Sequence, residues 1–423
     1  MKKLTLVATA VMGLLSTTAA MAQSTVTIYG LIDGGVNYVS GLKNGSSTSI
    51  ASGIMEGSRF GLRGTEDIGG GYKAIFTLEN RFEVDTGSVS NRPASGDQLP
   101  DRMSSAAGLG LTGAAALAAP VAIPLINATI ANGFGVNVGA TGGRLFDRQA
   151  FAGLVTPIGA FTLGRQYTPG YLVGATFDAT QTQSSLAVGQ LATFPPAFDI
   201  RLSNTLQYAI QTGGFTAALM YGAGEVAGNN SASRFFGGMV IYKGNGFSVG
   251  YGRNQRKNEL GQNSLENNVL GASVDVGPGT LYGQYTTIKD ENPTGLSGIG
   301  AAITAKTGSA ALGAAYQAAY TNAFIQDASL AQIGYRLTSG VNTVVVAYNR
   351  LNDKRPNNAS ADSYGATYTY ALSKRTNLNA VLTRFNNKGT SQAAPGGNGF
   401  LGGVTSAAGV GSTNVAFGIR HTF

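Results

Sequence analysis

Apolar and polar side chains alternate over stretches of about ten residues, and clusters of Gly, Asn and Pro separate these stretches. In SYGATYTYALS, Tyr364, Tyr368 and Tyr370 fall on one face, while Thr367 and Thr369 fall on the other. The segments NNVLGASVDV and RLSNTLQYAI alternate in the same way. Because successive side chains of a β-strand point to opposite faces, this pattern predicts strands with one apolar and one polar face.

The composition of the two faces indicates which one meets water. A soluble β-sandwich also alternates, with its apolar face turned inward. Here the polar faces consist of Gly, Ser, Thr, Asn and single charges, and the apolar faces end in aromatic residues, as in outer-membrane barrels. Only 12% of the residues are charged, against about 25% in soluble domains. We therefore predict an all-β fold, a transmembrane antiparallel β-barrel.

The pattern predicts sixteen strands, an even number as single-chain bacterial barrels require. They lie near residues 25–39, 57–65, 71–85, 145–156, 160–167, 199–210, 214–224, 231–243, 246–257, 265–276, 280–290, 327–338, 341–352, 360–372, 376–386 and 413–423. Short turns alternate with long loops, of which the largest lie near 86–144, 168–199 and 291–326. Sixteen strands enclose a lumen wide enough for an aqueous channel, whereas about eight would be filled by side chains.

The N-terminal residues have the three parts of an export signal. Lys2 and Lys3 precede an apolar run over 4–15, and the small-residue site Ala20-Met21-Ala22 follows. This order is typical of a secretory signal peptide, and the run is shorter than the roughly 20 residues of a spanning helix. We predict a signal peptide at 1–22 and a single barrel domain over 23–423.

Charge and residue content argue against several classes of protein. The net charge of +8 comes from Lys and Arg that are scattered singly rather than in runs, so no nucleic-acid partner is expected. The absence of cysteine excludes disulfides, thiolate metal sites and thiol nucleophiles. Neither a cofactor nor a metal site is expected.

The single histidine of the chain, His421, is the one candidate base for hydrolase chemistry. A serine nucleophile needs a base beside it, most often His. Alternation puts His421 on the same apolar face as Phe417 and Ile419, so it is predicted to face lipid. We expect no catalytic residues and no enzyme activity.

Five segments resemble the Gram-negative general porins of the Neisseria and Burkholderia type. They are TVTIYGLIDGGVNY, SRFGLRGTEDIGGGYKAIFTLENRFE, DRQAFAGLVTPIGAFTLGRQY, NTLQYA and VAFGIRHTF, and they follow the family's order over nearly the whole mature chain. The resemblance implies a homotrimer of sixteen-stranded barrels in the outer membrane, among its lipid and lipopolysaccharide. Each barrel would carry its own pore for small hydrophilic solutes and ions, narrowed by the third loop folded inside.

The resemblance also implies a charged constriction. Arg59 in SRFGLRG, Arg165 in LGRQY and Arg201 in FDIRLSNT match the basic wall positions of the family. The third loop, 168–199, would supply the acidic side, but it contains only Asp178 and Asp199. Arginines faced by so few carboxylates leave a positive potential, which predicts a weak preference for anions.

Alternation supports some of these positions independently. Arg59 falls opposite Phe60, and Arg201 lies on a polar face, whereas Arg165 shares parity with Leu163 and would need a bulge to re-aim it. Further candidates for the lumen are Arg63, Lys73, Arg81, Arg148 and Arg336. For each of these residues there is an equal alternative to a role in the lumen, which is that its charge is simply solvated in a wide vestibule.

The chain ends on an aromatic residue, Phe423. The last strand must pair with the first, near TVTIYG, because an open sheet edge in lipid leaves backbone groups unsatisfied. In the resembling porins a terminal aromatic belongs to the signal that the barrel-assembly machinery reads. Two other functions remain open, a substrate-selective channel and a non-conducting adhesin or structural barrel.

The second loop carries an apolar insert that such porins usually lack. The stretch from Leu109 to Ile130 contains Pro120 and Pro124, and a proline inside a helix costs about 3 kcal/mol, so it is not predicted to span the membrane. Residues Ala114 to Ile130 are expected to pack against the vestibule wall or an adjacent protomer, which would cover their apolar area. The Ala/Gly-rich sixth loop invites the same expectation.

Overall fold

A computed structural model describes residues 24–89, 99–133, 145–182, 184, 187, 199–395 and 401–423. The predicted signal peptide, 1–22, lies outside the described residues. The large loops predicted near 86–144 and 168–199 are described only in part.

The strands form one large antiparallel sheet and a small hairpin. They are β1 Thr25–Leu42, β2 Gly45–Ser52, β3 Arg59–Gly69, β4 Tyr72–Arg81, β5 Gln149–Thr156, β6 Gly159–Tyr167, β7 Arg201–Thr212, β8 Phe215–Gly222, β9 Phe235–Lys243, β10 Phe247–Lys257, β11 Asn263–Val276, β12 Gly279–Asp290, β13 Gln326–Ser339, β14 Asn342–Asp353, β15 Ala361–Ala371, β16 Thr376–Asn387, β17 Ala393–Pro395, β18 Leu401–Val404 and β19 Ser412–Thr422. The strands β17 and β18 pair only with each other.

The large sheet closes into a barrel because β1 pairs with β19. The strands β2 and β3 are two halves of one barrel strand, since β1 pairs with β2 through its residues 34–42 and with β3 through its residues 25–31. Counted this way, the barrel has sixteen strands, as the sequence predicts. The prediction near 57–65 covers only the β3 half, and neither β2 nor the β17–β18 hairpin was predicted.

The barrel is apolar outside and polar inside. Ile28, Leu219 and Phe417 are 68%, 67% and 62% exposed, although they lie in regular strands. Polar side chains at the alternate positions of the strands, such as Asn379 and Thr383 on β16, are buried. An apolar belt turned outward and a polar lumen are the arrangement that lipid outside and water inside require.

Five helices lie in the loops of the described chain. They are α1 Asp101–Ser104, α2 Gly113–Gly133, α3 Pro169–Phe177, α4 Ile299–Thr307 and α5 Ala310–Phe324. Within the described ranges, no helix combines the length and the apolar character that crossing a membrane would take. The helix α2 forms around Pro120 and Pro124, so packing offsets the two proline penalties.

The helices of the second and sixth loops pack together into one apolar cluster, here called the loop cap. Its buried members are Leu99, Met103, Leu109, Ala115, Ala119, Ala122, Ile123, Ile126, Leu296, Ile299, Ile303, Tyr316, Ala319, Tyr320 and Phe324. Tyr316 donates a hydrogen bond of 2.7 Å from its hydroxyl to the Ala115 carbonyl. The sixth loop covers the buried face of the insert, which corrects the expectation that this face packs on the vestibule wall. Packing of the insert against an adjacent protomer stays a prediction.

The loop cap joins opposite sides of the barrel. The second loop connects the third and fourth barrel strands, β4 and β5, and the sixth loop connects the eleventh and twelfth, β12 and β13. In a ring of sixteen strands these positions are diametrically opposed, so the cap spans the end of the barrel that carries the long loops. The opposite face of α2 stays open, with Leu117 84% and Val121 60% exposed.

Replacing Tyr316 with alanine is expected to open the loop cap and to leave the barrel folded. The side chain is fully buried, and deleting a buried aromatic ring costs about 3–5 kcal/mol. Limited proteolysis should cut the second and sixth loops faster, while the heat-dependent shift in gel mobility of the barrel stays unchanged. Leu117→Ala is the control, because Leu117 is exposed; equal protection of both variants would contradict the packing described here.

The barrel closes at Phe423 and Gly30. The two residues exchange backbone hydrogen bonds of 3.1 Å in both directions. The Phe423 ring lies over Gly30, so a Cβ at position 30 would meet the ring and would also lie 2.8 Å from the Arg59 carbonyl oxygen. The missing side chain of Gly30 therefore makes room for the aromatic residue that ends the last strand.

We expect Gly30→Ala to lower the stability of the barrel by about 1–3 kcal/mol, the range for overpacking at a close contact. Gly283→Ala is the matched control, since the nearest atom to its added Cβ would be the Gln332 carbonyl oxygen at 3.9 Å. Thermal unfolding followed by circular dichroism measures both. Equal melting temperatures would show that the ring adapts without strain.

Candidate functional site

Charged side chains gather on the inner wall around Glu79 of β4. The Glu79 carboxylate accepts hydrogen bonds from Arg148 Nε at 2.7 Å and from the Tyr29 hydroxyl at 3.1 Å, and Arg59 Nε lies 3.7 Å away. Tyr29, Gly61 and Glu79 occupy one row across β1, β3 and β4. Because Gly61 has no side chain, the Tyr29 ring can reach across it to Glu79.

A second group continues the cluster toward the third loop. The Tyr167 hydroxyl accepts hydrogen bonds from Arg148 Nη2 at 2.8 Å and from Arg201 Nη2 at 2.7 Å. The Arg201 Cζ also lies 4.3 Å from the Tyr167 ring centroid, within cation–π range. On its other side Tyr167 stacks on Tyr171, with centroids 5.1 Å apart and planes 6° apart. Burial raises the pKa of the Tyr171 hydroxyl, so this ring stays neutral.

Glu56 reaches the same cluster from the break between β2 and β3. It forms an ion pair with Arg59 through Nη2, and Arg420 Nη1 lies 3.5 Å from its second carboxylate oxygen. Arg420 comes from β19, so the cluster extends across the seam where the barrel closes.

The cluster carries more positive than negative charge, and we call it the arginine cluster. Its charged members are Arg59, Arg148, Arg201 and Arg420 on one side and Glu56 and Glu79 on the other. Four guanidinium groups and two carboxylates leave two positive charges. Among the described residues Arg201 forms no ion pair; its contacts are with Tyr167.

The third loop lies inside the barrel, on the wall formed by β9 to β12. Phe177 of α3 is fully buried and packs over Gly250 and Gly271, which face the lumen. The Gly170 amide donates a 2.9 Å hydrogen bond to Asn254 Oδ1 of β10. These contacts hold α3 against the inner wall formed by β9 to β12.

The two carboxylates predicted on the third loop point away from the arginine cluster. Asp178 is fully buried, and its carboxylate accepts hydrogen bonds from Gln332 Nε2 of β13 at 2.9 Å and from the Thr180 hydroxyl at 2.6 Å. Asp199 pairs with Arg256 at 3.1 Å. The carboxylates that pair with Arg59 of the wall are Glu56 and Glu79, which the sequence prediction did not include.

The predicted wall arginines separate into two sets. Arg59 and Arg201 belong to the arginine cluster. Arg165 Nε donates to the Asp147 carbonyl at 2.6 Å and its Nη1 to Ser203 Oγ at 3.2 Å. The backbone shifts register between Gly164 and Gln166. Arg165 nevertheless lies on the same outward side of β6 as the exposed Leu163. The irregularity therefore does not bring Arg165 to the arginine cluster.

The other basic candidates lie at several places on the inner wall. Arg148 is a member of the arginine cluster, although the sequence indicated it only as a further candidate. Arg63 stacks over Tyr29 at 5.3 Å, Arg81 pairs with Asp147 at 3.1 Å, and Arg336 Nη1 donates to Gln181 at 3.3 Å. Lys73 shares the inward parity of Glu79 on β4.

The alternation of polar and apolar residues could have identified two of the three missed residues, Glu79 and Arg420. Glu79 shares parity with Lys73 and Arg81 in YKAIFTLENR, and Arg420 falls opposite His421. Glu56 carries no such signal, because it lies where the strand pattern breaks. His421 Nδ1 lies 2.9 Å from the Thr376 hydroxyl of the adjacent strand.

Comparison with known proteins agrees with this architecture. Residues 8–390 match the Gram-negative porin family. The chain is 31% identical over 420 residues to outer membrane porin protein 32 of Delftia acidovorans, with 96% of each chain covered. The matching family and this relative are porins, which are channel proteins.

Solved structures share the fold. The anion-selective porin from Comamonas acidovorans superposes with a TM-score of 0.65 at 25% identity, over 95% of this chain and 100% of its own. The trimer form of OmpT of Vibrio cholerae has a TM-score of 0.56 at 12% identity, over 95% and 99% of the two chains. The chain therefore belongs to the Gram-negative porins, and it is a multi-pass outer-membrane protein that forms a passive diffusion channel.

Proposed function

We propose that this porin passes small hydrophilic solutes and ions with a weak preference for anions, and that the arginine cluster is the basic wall of its constriction. Fixed charge at the narrowest part of a water-filled pore attracts counter-ions and repels co-ions. The observation that carries the proposal is the excess of two positive charges, with Arg201 outside any ion pair of the described residues. The anion selectivity named for the Comamonas acidovorans porin supports the same sign.

The preference is expected to be weak because Glu56 and Glu79 neutralise part of the wall. Asp178 and Asp199 are proposed to hold the third loop in place rather than to face the permeating ion. Arg165, at the end of β6, is proposed to act outside the selectivity region.

The test is the reversal potential of single pores in a planar bilayer under a potassium chloride gradient. A sign that corresponds to chloride preference supports the proposal, and a clear potassium preference would refute it. Liposome swelling with sugars of increasing size then separates general diffusion from a substrate-selective channel. A barrel that is a pure adhesin would show no conductance at all.

We further propose a homotrimer, as in the trimer form of OmpT. Residues 1–22 are proposed to be the cleaved export signal, and Phe423 to be part of the signal for the barrel-assembly machinery. Outer-membrane lipid and lipopolysaccharide are proposed to surround the exposed apolar belt. No catalytic, cofactor or metal role is proposed for any residue, including His421.

A further inference from the structure

We infer that residues 53–58, here called the inner hump, form a selectivity element: Asp33 holds the hump, and the hump delivers the Glu56 carboxylate to the arginine cluster. Asp33 is thus a positioning residue, and Glu56 a specificity-determining one. The inference rests on the proposed anion preference of the pore and identifies what limits it.

The inner hump is a large insertion into one barrel strand. On the two sides of the break, Gly34 pairs with Ser52 and Leu31 pairs with Arg59. Two residues of β1 therefore stand opposite the six residues of the hump. An ordinary β-bulge adds one residue, so this insertion is too long to be absorbed in the sheet and must leave its plane.

Asp33 determines the direction in which the inner hump leaves the plane of the sheet. Its carboxylate accepts backbone hydrogen bonds from Ile54 and Met55 at 3.0 Å each and from Glu56 at 2.8 Å. Its carbonyl accepts from the Gly53 amide at 2.7 Å and from the Ser58 hydroxyl at 3.0 Å. Asp33 is fully buried and faces the lumen, so it folds the hump over itself on the inner side of the wall.

The hump places Glu56 between two arginines of neighbouring strands. Arg59 follows the hump on β3, and Arg420 lies on β19, on the far side of β1. A regular strand over these residues would leave no group in the gap. The two guanidinium groups would then add their full charge to the pore.

The hump also supports the third loop. The Ser184 hydroxyl donates a 3.3 Å hydrogen bond to the Ile54 carbonyl. Ala187 packs with Ile54 and Met55 and with Val381 and Ala416 of the wall. Loosening the hump is therefore expected to change both the charge and the width of the pore, and only the change in charge is specific to Glu56.

Two substitutions separate these roles. Glu56→Gln removes the charge and leaves the backbone clamp of Asp33 intact. Asp33→Asn weakens the clamp, because an amide offers one acceptor oxygen and turns an NH2 group toward backbone N–H donors. Asp33→Asn also removes the negative charge of Asp33, whereas Ser58→Ala weakens the same clamp without changing any charge.

The experiment compares reversal potentials in planar bilayers for wild type, Glu56→Gln, Asp33→Asn, Ser58→Ala and the double variant Glu56→Gln/Ser58→Ala. We expect Glu56→Gln to raise the chloride-to-potassium permeability ratio by roughly three- to tenfold, since one unit of negative charge disappears near the ion path. Asp33→Asn should raise it in the same direction. The double variant Glu56→Gln/Ser58→Ala should match Glu56→Gln alone, because Ser58→Ala changes no charge and acts through the Glu56 carboxylate.

The matched control is Asp353→Asn, which alters a comparable clamp outside the arginine cluster. Asp353 is also buried, and it accepts backbone hydrogen bonds from Arg355 at 3.1 Å and from Ala359 at 2.8 Å. Its replacement should lower the melting temperature without moving the reversal potential.

Three results would overturn the inference: no shift for Glu56→Gln, an Asp33→Asn variant that changes conductance but not selectivity, or additive shifts in the double variant. The proposed function fails on a different result, a wild-type pore that prefers potassium. In that case a shift of Glu56→Gln toward chloride would still support the role of the hump.

Discussion

Replacing Arg201 with glutamate is expected to abolish the weak anion preference of the pore. The substitution changes the charge of the arginine cluster by two units and so cancels its excess. Arg201 contacts Tyr167 and forms no ion pair in the described part of the chain, so its loss leaves no carboxylate unpaired. A unit charge about 4 Å from an ion is worth roughly 1–4 kcal/mol in a watery site, and about 1.4 kcal/mol corresponds to tenfold. Because the excess charge is cancelled, we expect the chloride-to-potassium permeability ratio to fall to about one.

The same change at Arg165 is the matched control. Arg165 is also an arginine of the third-loop region, but its hydrogen bonds go to Asp147 and Ser203 and its side chain has outward parity. Arg165→Glu should leave the reversal potential close to that of wild type. An equal effect of the two substitutions would mean that distant charge, rather than the arginine cluster, determines selectivity.

The second large effect is expected at Glu79, where a single carboxylate holds three side chains. Glu79→Gln leaves Arg148 and Arg59 without their shared carboxylate, and Glu79 and Arg148 side chains are each only 6% exposed. Breaking a buried pair by removal of one partner costs about 3–5 kcal/mol, because the other charge stays buried. We expect a lower temperature for the heat-dependent mobility shift, together with a stronger anion preference.

Glu266→Gln provides the comparison on the outer surface. Its partner Arg253 is 48% exposed and Glu266 is 29% exposed, at an ion-pair distance of 2.9 Å. Exposed pairs contribute about 0–1 kcal/mol, so this variant should melt close to wild type. Equal destabilisation by the two variants would argue that the Glu79 site is well hydrated.

Much of the fold followed from period-two alternation. The sixteen barrel strands were predicted close to their observed positions, because side chains that alternate between lipid and water repeat along every strand. The inner face of Arg59 and the outer face of Phe417 follow from the same rule. The prediction was incomplete where the rule is interrupted, at the inner hump and at the helices of the second and sixth loops.

The charged site was less predictable. Arg59 and Arg201 were named from motif and alternation, but Glu56 and Glu79, which pair with Arg59, were not. Asp178 and Asp199 were assigned to the wall arginines instead. A sequence indicates which face of a strand a charge occupies. It does not indicate which charge of another strand lies within reach.

The sequence by itself determined the membrane barrel, its strand number and its inside and outside, since these depend on a local repeat that each strand carries independently. Only the tertiary structure decided which charges meet, because the register between strands and the closure of β19 on β1 bring Arg420, Glu56 and Glu79 together. It also decided that the apolar insert packs on the sixth loop. Both outcomes depend on contacts between residues that are far apart in the sequence. The closed barrel determines which apolar surfaces and which opposite charges come close enough to interact.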